Sequence, residues 1–246
     1  MMMTRWVLRL IVANVIVFLL QQARASVTQE LVFVPVLVFA KPWTLITYMF
    51  LHGSMSHILF NMLGLLFFGP RLEIQLGERD FLLLYFISGI VAGLVSFVTP
   101  YTPILGASGA VYGVFLGFAY YWPRENIYIW GVLPVQARFM VAFMTALSLF
   151  GGFGFTSDNV AHFAHLGGFL GGFLFVKFLD RKKKVIDQIV SILPPPDTSK
   201  WRSIDRTKLH EVNRTELDRI LDKINASGLN SLSMSEREFL DRFSSI

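Results

Sequence analysis

GASGAVYGVFLG, residues 106–117, contains no charged side chain, and its glycines at 109, 113 and 117 recur every fourth position. That spacing puts all three on one face of an α-helix, where the missing side chains let a second backbone approach closely. The rest of the stretch is apolar and the flanking sequence is apolar too. It reads as a membrane span that begins with a small hydroxyl, Ser108, between glycine and alanine.

The remainder of the chain agrees with a membrane setting. Of 246 residues, 54% are hydrophobic and 16% charged, and the mean hydropathy is +0.54, outside the usual range of a water-soluble globule. Apolar runs at 6–20, 47–68, 81–98, 104–122, 139–150 and 160–179 give six expected spans, against the roughly 20 residues needed to cross ~30 Å of hydrocarbon. The net charge of +5 does not point to nucleic acid, because the basic residues cluster beside the apolar runs. Arg5, Arg9, Arg71, Arg79, Arg124, Arg138 and the run Arg181 to Lys184 fall on one side, with only Arg24 and Lys41 on the other. The positive-inside bias then puts both termini in the cytoplasm, with a bacterial cytoplasmic membrane as the expected location. A rival reading treats Arg5, Arg9, the first apolar run and Ala23-Arg24-Ala25 as a cleavable signal peptide, which would leave five spans. Cysteine is absent, so neither disulfides nor thiolate metal sites are available.

Two segments stand apart from the spans. RENIYIWGVLPVQAR, residues 124–138, is apolar but broken by Gly131 and Pro134, and reads as an interfacial loop. After Leu179 the composition turns polar. The expected division is a six-span membrane domain at 1–180, a basic, proline-containing linker at 181–213 and a cytoplasmic helical hairpin at 214–246. Leu217, Ile220, Leu221 and Ile224 follow a helical period in that tail. Ser235 and Glu238 form a candidate capping box, with Met234 and Phe239 as a staple and a turn at Gly228. The apolar face is too small for a robust core alone, so the tail is expected to dock on the membrane domain, another copy or a cytoplasmic partner.

Four of the five histidines, His52, His57, His162 and His165, lie in or beside apolar spans, where an ionisable group needs an internal partner or a watery cavity. At ~1.5 Å rise per residue, Ser108 and His165 lie about 6 and 9 Å below the outer ends of their spans, and His57 about 12 Å below the outer surface. Gly168 and Gly172 give the sixth span a flat stripe that includes His165 and matches the stripe beside Ser108. A serine becomes a useful nucleophile when imidazole takes its proton, and no carboxylate shares this depth, so the expected unit is a dyad. Tyr112, one turn after Ser108, is placed to stack on the imidazole. His57 and Asn61 are four residues apart on one helix face and offer two donors to an oxyanion, with the first-turn amide of Ser108 as a third.

Each feature has a plainer reading alone. A glycine-flanked serine is usually packing, Asn61 is interhelical glue, Tyr112 a core aromatic, and intramembrane histidines often line ion paths. His52 is read as an interfacial residue, and His162 as a group behind the site or in the substrate cavity. A metal site built on His162, His165 and His57 competes, although no H-E-x-x-H motif is present. A channel or transporter is the other class, although no span looks broken and no repeat is evident.

HGSMSHILFNMLG at 52–64, GPRLEIQLG at 69–77, GASGAVYG at 106–113 and AHLGGFLGG at 164–172 together resemble the rhomboid family of intramembrane serine proteases. The resemblance covers about residues 1–180 and implies an all-α polytopic fold, a six-helix rhomboid-like bundle, carrying here a small helical cytoplasmic extension. It implies Ser108 as nucleophile and His165 as base, His57 and Asn61 as oxyanion donors, and Gly106, Gly109 and Tyr112 as supporting residues. Glu73 and Gly77 resemble a structural motif at the cytoplasmic turn, where Gln75 replaces an arginine of some members. It further implies transmembrane protein substrates in the lipid bilayer, cleaved near the outer face, with no cofactor, metal or nucleic acid.

Overall fold

The computed structural model describes residues 3–129, 131–155, 161–192, 204 and 209–244. The chain divides into two compact units, Met1–Phe178 and Leu179–Ile246, and each is described by itself. The start of the apolar run expected at 160–179 and the proline-rich stretch at 193–201 lie outside the described residues.

The first unit begins with α1 (Arg5–Ala23) and α2 (Ala25–Leu31), then α3 (Thr44–Thr47), which tightens into a 3-10 turn at Tyr48–Phe50. Next come α4 (Met55–Leu76), α5 (Glu78–Val95) and α6 (Ser108–Tyr121). A hairpin of β1 (Asn126–Ile129) and β2 (Leu133–Gln136) leads to α7 (Ala137–Phe150), which widens into a π-turn at Gly151–Phe155. Helix α8 (His162–Ile192) begins in this unit and continues through the basic run Arg181 to Lys184.

Among the described residues, three helical stretches are long and apolar enough to cross a membrane: Arg5–Ala23, Glu78–Val98 and His162–Ile186. A fourth arises if Thr44–Phe50 and Met55–Leu76 count as one span bent by 95°. The straight span expected at 47–68 is therefore corrected. Gly53 and Ser54 interrupt it, because the Ser54 hydroxyl accepts the His57 amide at 3.1 Å and caps a new helix. That helix then runs on past Pro70 to Gly77, whose φ of 82° ends it. Helices α6 and α7 have 14 residues each, about 21 Å, so they fall short of the ~30 Å hydrocarbon core.

Helix α1 is tied to α4 by one carboxylate. Glu73, 4% exposed, accepts from the Thr4 hydroxyl and from the amides of Trp6 (3.1 Å) and Val7 (3.0 Å). First-turn amides lack helical acceptors, and a negative charge there also meets the favourable end of the helix dipole.

The glycine stripes fix the other contacts. A side chain at Gly168 of α8 would run into the Gly109 carbonyl of α6, and one at Gly172 would come within 2.8 Å of the Gly113 Cα. On its other flank, a side chain at Gly167 would sit 2.7 Å from the Ala92 Cα of α5. Three backbones thus pack at a separation that no Cβ would permit. The segment expected as an interfacial loop is instead an antiparallel hairpin, with Asn126 opposite Gln136, Ile129 opposite Leu133, and Gly131 at φ 73° in the turn. Its β-branched and aromatic residues favour the extended state once both strands can pair.

In the second unit, α9 (Glu211–Ser227) ends at Gly228, φ 76°, and α10 (Met234–Phe243) follows. Leu209, Leu217, Ile220, Leu232 and Leu240 form its buried core. Leu221, expected on this face, is 40% exposed, because the stripe is narrower than the periodicity suggested. The capping box lies two residues earlier than expected: Ser233 accepts the Glu236 amide, and the Glu236 carboxylate accepts the Ser233 amide. The earlier register wins because Glu236 then also meets Lys223 and Arg219 of α9, each at 2.7 Å. The Met234 side chain of the expected staple lies outside the described set. Burial alone would raise the Glu236 carboxyl, but Lys223, the Ser233 amide, Arg219 and the Ser233 hydroxyl together lower it to about 2.

Two outcomes follow from this packing. Gly168→Ala should destabilise the membrane unit by roughly 1–3 kcal/mol, read as a lowered Tm in detergent. Because the Glu236 pKa is depressed, its contribution to the tail is complete above about 4.5 and is lost as pH falls towards about 2. Hydrogen-exchange protection factors at α9 and α10 in the full chain should therefore fall across that window, and Glu236→Gln should flatten the response.

Candidate active site

The expected site residues are delivered by the first turns of three helices. His57 is the third residue of α4, Ser108 the first of α6 and His165 the fourth of α8. The His165 Nε2 and Ser108 Oγ are 2.9 Å apart, a hydrogen bond between residues 57 positions apart in sequence. Tyr112 stacks on the His165 ring, with centroids 4.1 Å apart and planes 19° from parallel. Gly109, one residue into α6, lies against Ala92 of α5 and the Ala164 carbonyl of α8, so it admits the helix that carries the imidazole.

The loop before Ser108 is fastened from below and from the side. Gly106 donates its amide to the Tyr48 carbonyl at 2.9 Å, and the Tyr48 hydroxyl donates to the Gly89 carbonyl at 2.7 Å. Phe33 and Ile104 exchange two backbone hydrogen bonds, of 3.1 and 2.7 Å. Gly106 has φ 125°, and a Cβ there would lie 2.6 Å from the His57 ring. Only glycine both takes this turn without strain and lets the imidazole lie against the backbone.

His57 Nδ1 faces the Gly53 amide, which donates to it at 3.4 Å. That contact favours the tautomer with hydrogen on Nε2, the nitrogen beside Gly106. Asn61, 6% exposed, donates one amide hydrogen to the His57 carbonyl at 3.0 Å, which holds its side chain along the same helix face. The first-turn amide of Ser108 has no helical acceptor. His57, Asn61, Ser108, Tyr112 and His165 all line one cavity of about 890 Å³.

His52 differs from its expected interfacial place. It is 2% exposed, its ring sits edge-on to His57 at 5.0 Å, and Gln21 of α1 accepts its backbone amide at 2.9 Å. The break at Gly53 and Ser54 turns the chain back and brings the two histidines together. The signal was present in the capping serine two residues after His52. His162 lies edge-on to His165 at 6.3 Å, and its ring fills the space that a side chain at Gly151 would occupy. Among the described residues, no three His, Asp or Glu side chains gather as metal ligands.

Residues 40–182 match the rhomboid domain model, and residues 207–245 match a family of unknown function, DUF6576. The "Putative rhomboid protease YdcA" of Bacillus subtilis is 36% identical over 144 residues, which is 58% of this chain and 69% of that protein. The rhomboid protease GluP of Bacillus subtilis is 35% identical over 131 residues, and Rhomboid-like protease 3 of Toxoplasma gondii 32% identical over 145. The chain spans 25% and 52% of the lengths of those two relatives. With more than half of its length matched, and its helices apolar, this chain belongs to the rhomboid family of membrane-embedded serine-type proteases.

Proposed function

We propose that the chain hydrolyses peptide bonds in transmembrane segments of other proteins, near the outer face of the membrane, through a Ser108–His165 dyad. The observation that carries the reading is the 2.9 Å hydrogen bond between these side chains at a cavity wide enough for a peptide. His165 Nε2 takes the hydroxyl proton as Ser108 Oγ attacks the scissile carbonyl. The carbon–nitrogen bond then breaks, and His165 returns the proton to the leaving amine. Water, activated by the same imidazole, hydrolyses the acyl-enzyme.

Charge develops on the carbonyl oxygen during both steps. The His57 Nε2–H, the remaining Asn61 N–H and the Ser108 amide are the donors that meet it, a set of fixed dipoles in a site of low dielectric. Three helix starts converge here, and each carries a partial positive charge that favours the same oxyanion. A helical substrate hides its carbonyls, so the segment cut must unwind locally before attack. Short α6, starting at Ser108, leaves room above the nucleophile for water and for the unwound peptide.

The wider organisation belongs to the same proposal. Six spans, with α6 and α7 as the short ones, place both termini in the cytoplasm of a bacterial inner membrane, as the arginine and lysine distribution favours. The membrane domain covers 1–180, the basic linker 181–213 and the helical hairpin 214–246. The match of residues 207–245 to a family of their own supports a separate tail module. Its binding surface is for the membrane domain, a second copy or a cytoplasmic partner.

Purified protein in detergent should cleave a model transmembrane substrate, and Ser108→Ala and His165→Ala should each remove cleavage. A fluorophosphonate should label the wild type and leave Ser108→Ala unlabelled; undiminished turnover by the serine variant rejects the dyad. Gly106→Ala should retain the fold by circular dichroism yet lose on the order of 10² in kcat, because its methyl group displaces the His57 ring.

A further inference from the structure

The cavity that opens at Ser108 does not end with the dyad. It continues down α6 past Val111 to Phe115, seven residues and about 10 Å below the nucleophile, and is walled there by Met140 and Met144 of α7. Phe60 of α4 lines it too, and one further wall residue comes from outside the helices. Ile129, the last residue of β1, lines the same cavity.

The hairpin that carries it is tied at its base, and at the turn Val132 donates its amide to the Ile129 carbonyl at 3.2 Å. At its base, Ala137 donates its amide to the Glu125 carbonyl at 2.8 Å, and Arg138 donates to the Pro123 carbonyl at 3.1 Å. Arg71 of α4 pairs with the Glu125 carboxylate at 3.1 Å and lies over the Trp122 ring at 4.3 Å. The charged groups therefore sit at the base, whereas Tyr128, Val132 and Leu133 are exposed and apolar, and Ile129, 37% exposed, is more covered than they are. Such a tip suits lipid better than water. Strand alternation turns Ile129 and Tyr128 to opposite faces.

We infer that Ile129, carried by the β1–β2 hairpin, closes the apolar end of the cavity and sets the size of the substrate side chain accepted there. The polar end, with Ser108 and His165, holds the reacting peptide bond. A large apolar side chain from a residue close to that bond occupies the space between Phe115 and the two methionines. Met140 and Met144 adapt to its shape, because the thioether chain is unbranched and flexible. The branched, strand-bound Ile129 does not yield, and so fixes the length limit.

This inference rests on the protease reading, and the test separates the two. The reconstituted full chain would be given transmembrane substrates in which each position flanking the cut carries Ala, Val, Leu or Phe. Cleavage by wild type, absent in Ser108→Ala, establishes the proteolytic reading independently of the hairpin. Ile129→Ala should then raise kcat/KM for the Phe substrate relative to the Ala substrate by roughly tenfold at one flanking position. Ile129→Trp should lower the same ratio by a similar factor, with the Ala substrate cut within about twofold of wild type. Tyr128→Ala, on the opposite face, should leave the preference unchanged. An unaltered preference in Ile129→Ala overturns the inference, whatever Ile129→Trp does to overall activity, and so does an equal shift in Tyr128→Ala.

Discussion

Close approach of three helical backbones is the constraint from which this membrane unit follows. Where Gly109 and Gly113 of α6 meet Gly168 and Gly172 of α8, with Gly167 of α8 on the Ala92 backbone of α5, no side chain separates the helices. In lipid, such contact is gained through dispersion and backbone proximity, since tails are as apolar as the side chains they would replace. The same separation decides the chemistry. An imidazole and a hydroxyl on neighbouring helices reach 2.9 Å because the helices that carry them are so near.

The glycine seam alone would leave the nucleophile's loop free to move. Fixing it falls to backbone hydrogen bonds from Phe33 and Tyr48, segments that precede α4. Tyr48 is itself anchored on the Gly89 carbonyl of α5. A chain of short polar contacts therefore runs from α5 through the turn before α4 to Gly106 and the His57 ring. Near the Gly77 end of α4, a single buried carboxylate at Glu73 does the equivalent work for α1.

The glycine stripes, the histidines and Ser108 could be found in the sequence because each relies on local spacing along one helix. Ser108, His165, His57 and Asn61 were named from periodicity and chemistry, and Tyr112 from its place one turn after the serine. What depended on breaks between elements was harder to see. The bend at Gly53 and Ser54 brought His52 against His57, and apolar continuity across 47–68 concealed it. The hairpin at 126–136 was hidden because Gly131 and Pro134 suit a loop as well as a strand turn, and pairing between strands is a non-local event. In the tail, Ser233 and Glu236 have the same S-x-x-E spacing as the expected Ser235 and Glu238. The choice came from Lys223 and Arg219 on the preceding helix.

The order in which the ribosome makes this chain gives the distance between Ser108 and His165 a further meaning. The serine emerges 57 residues ahead of the histidine, and α8 is the last apolar helix to be inserted. Until α8 packs against α6, the Ser108 hydroxyl lacks the His165 partner that it meets in the folded unit. The hydrogen bond between the two side chains thus forms only once α8 has packed against α6.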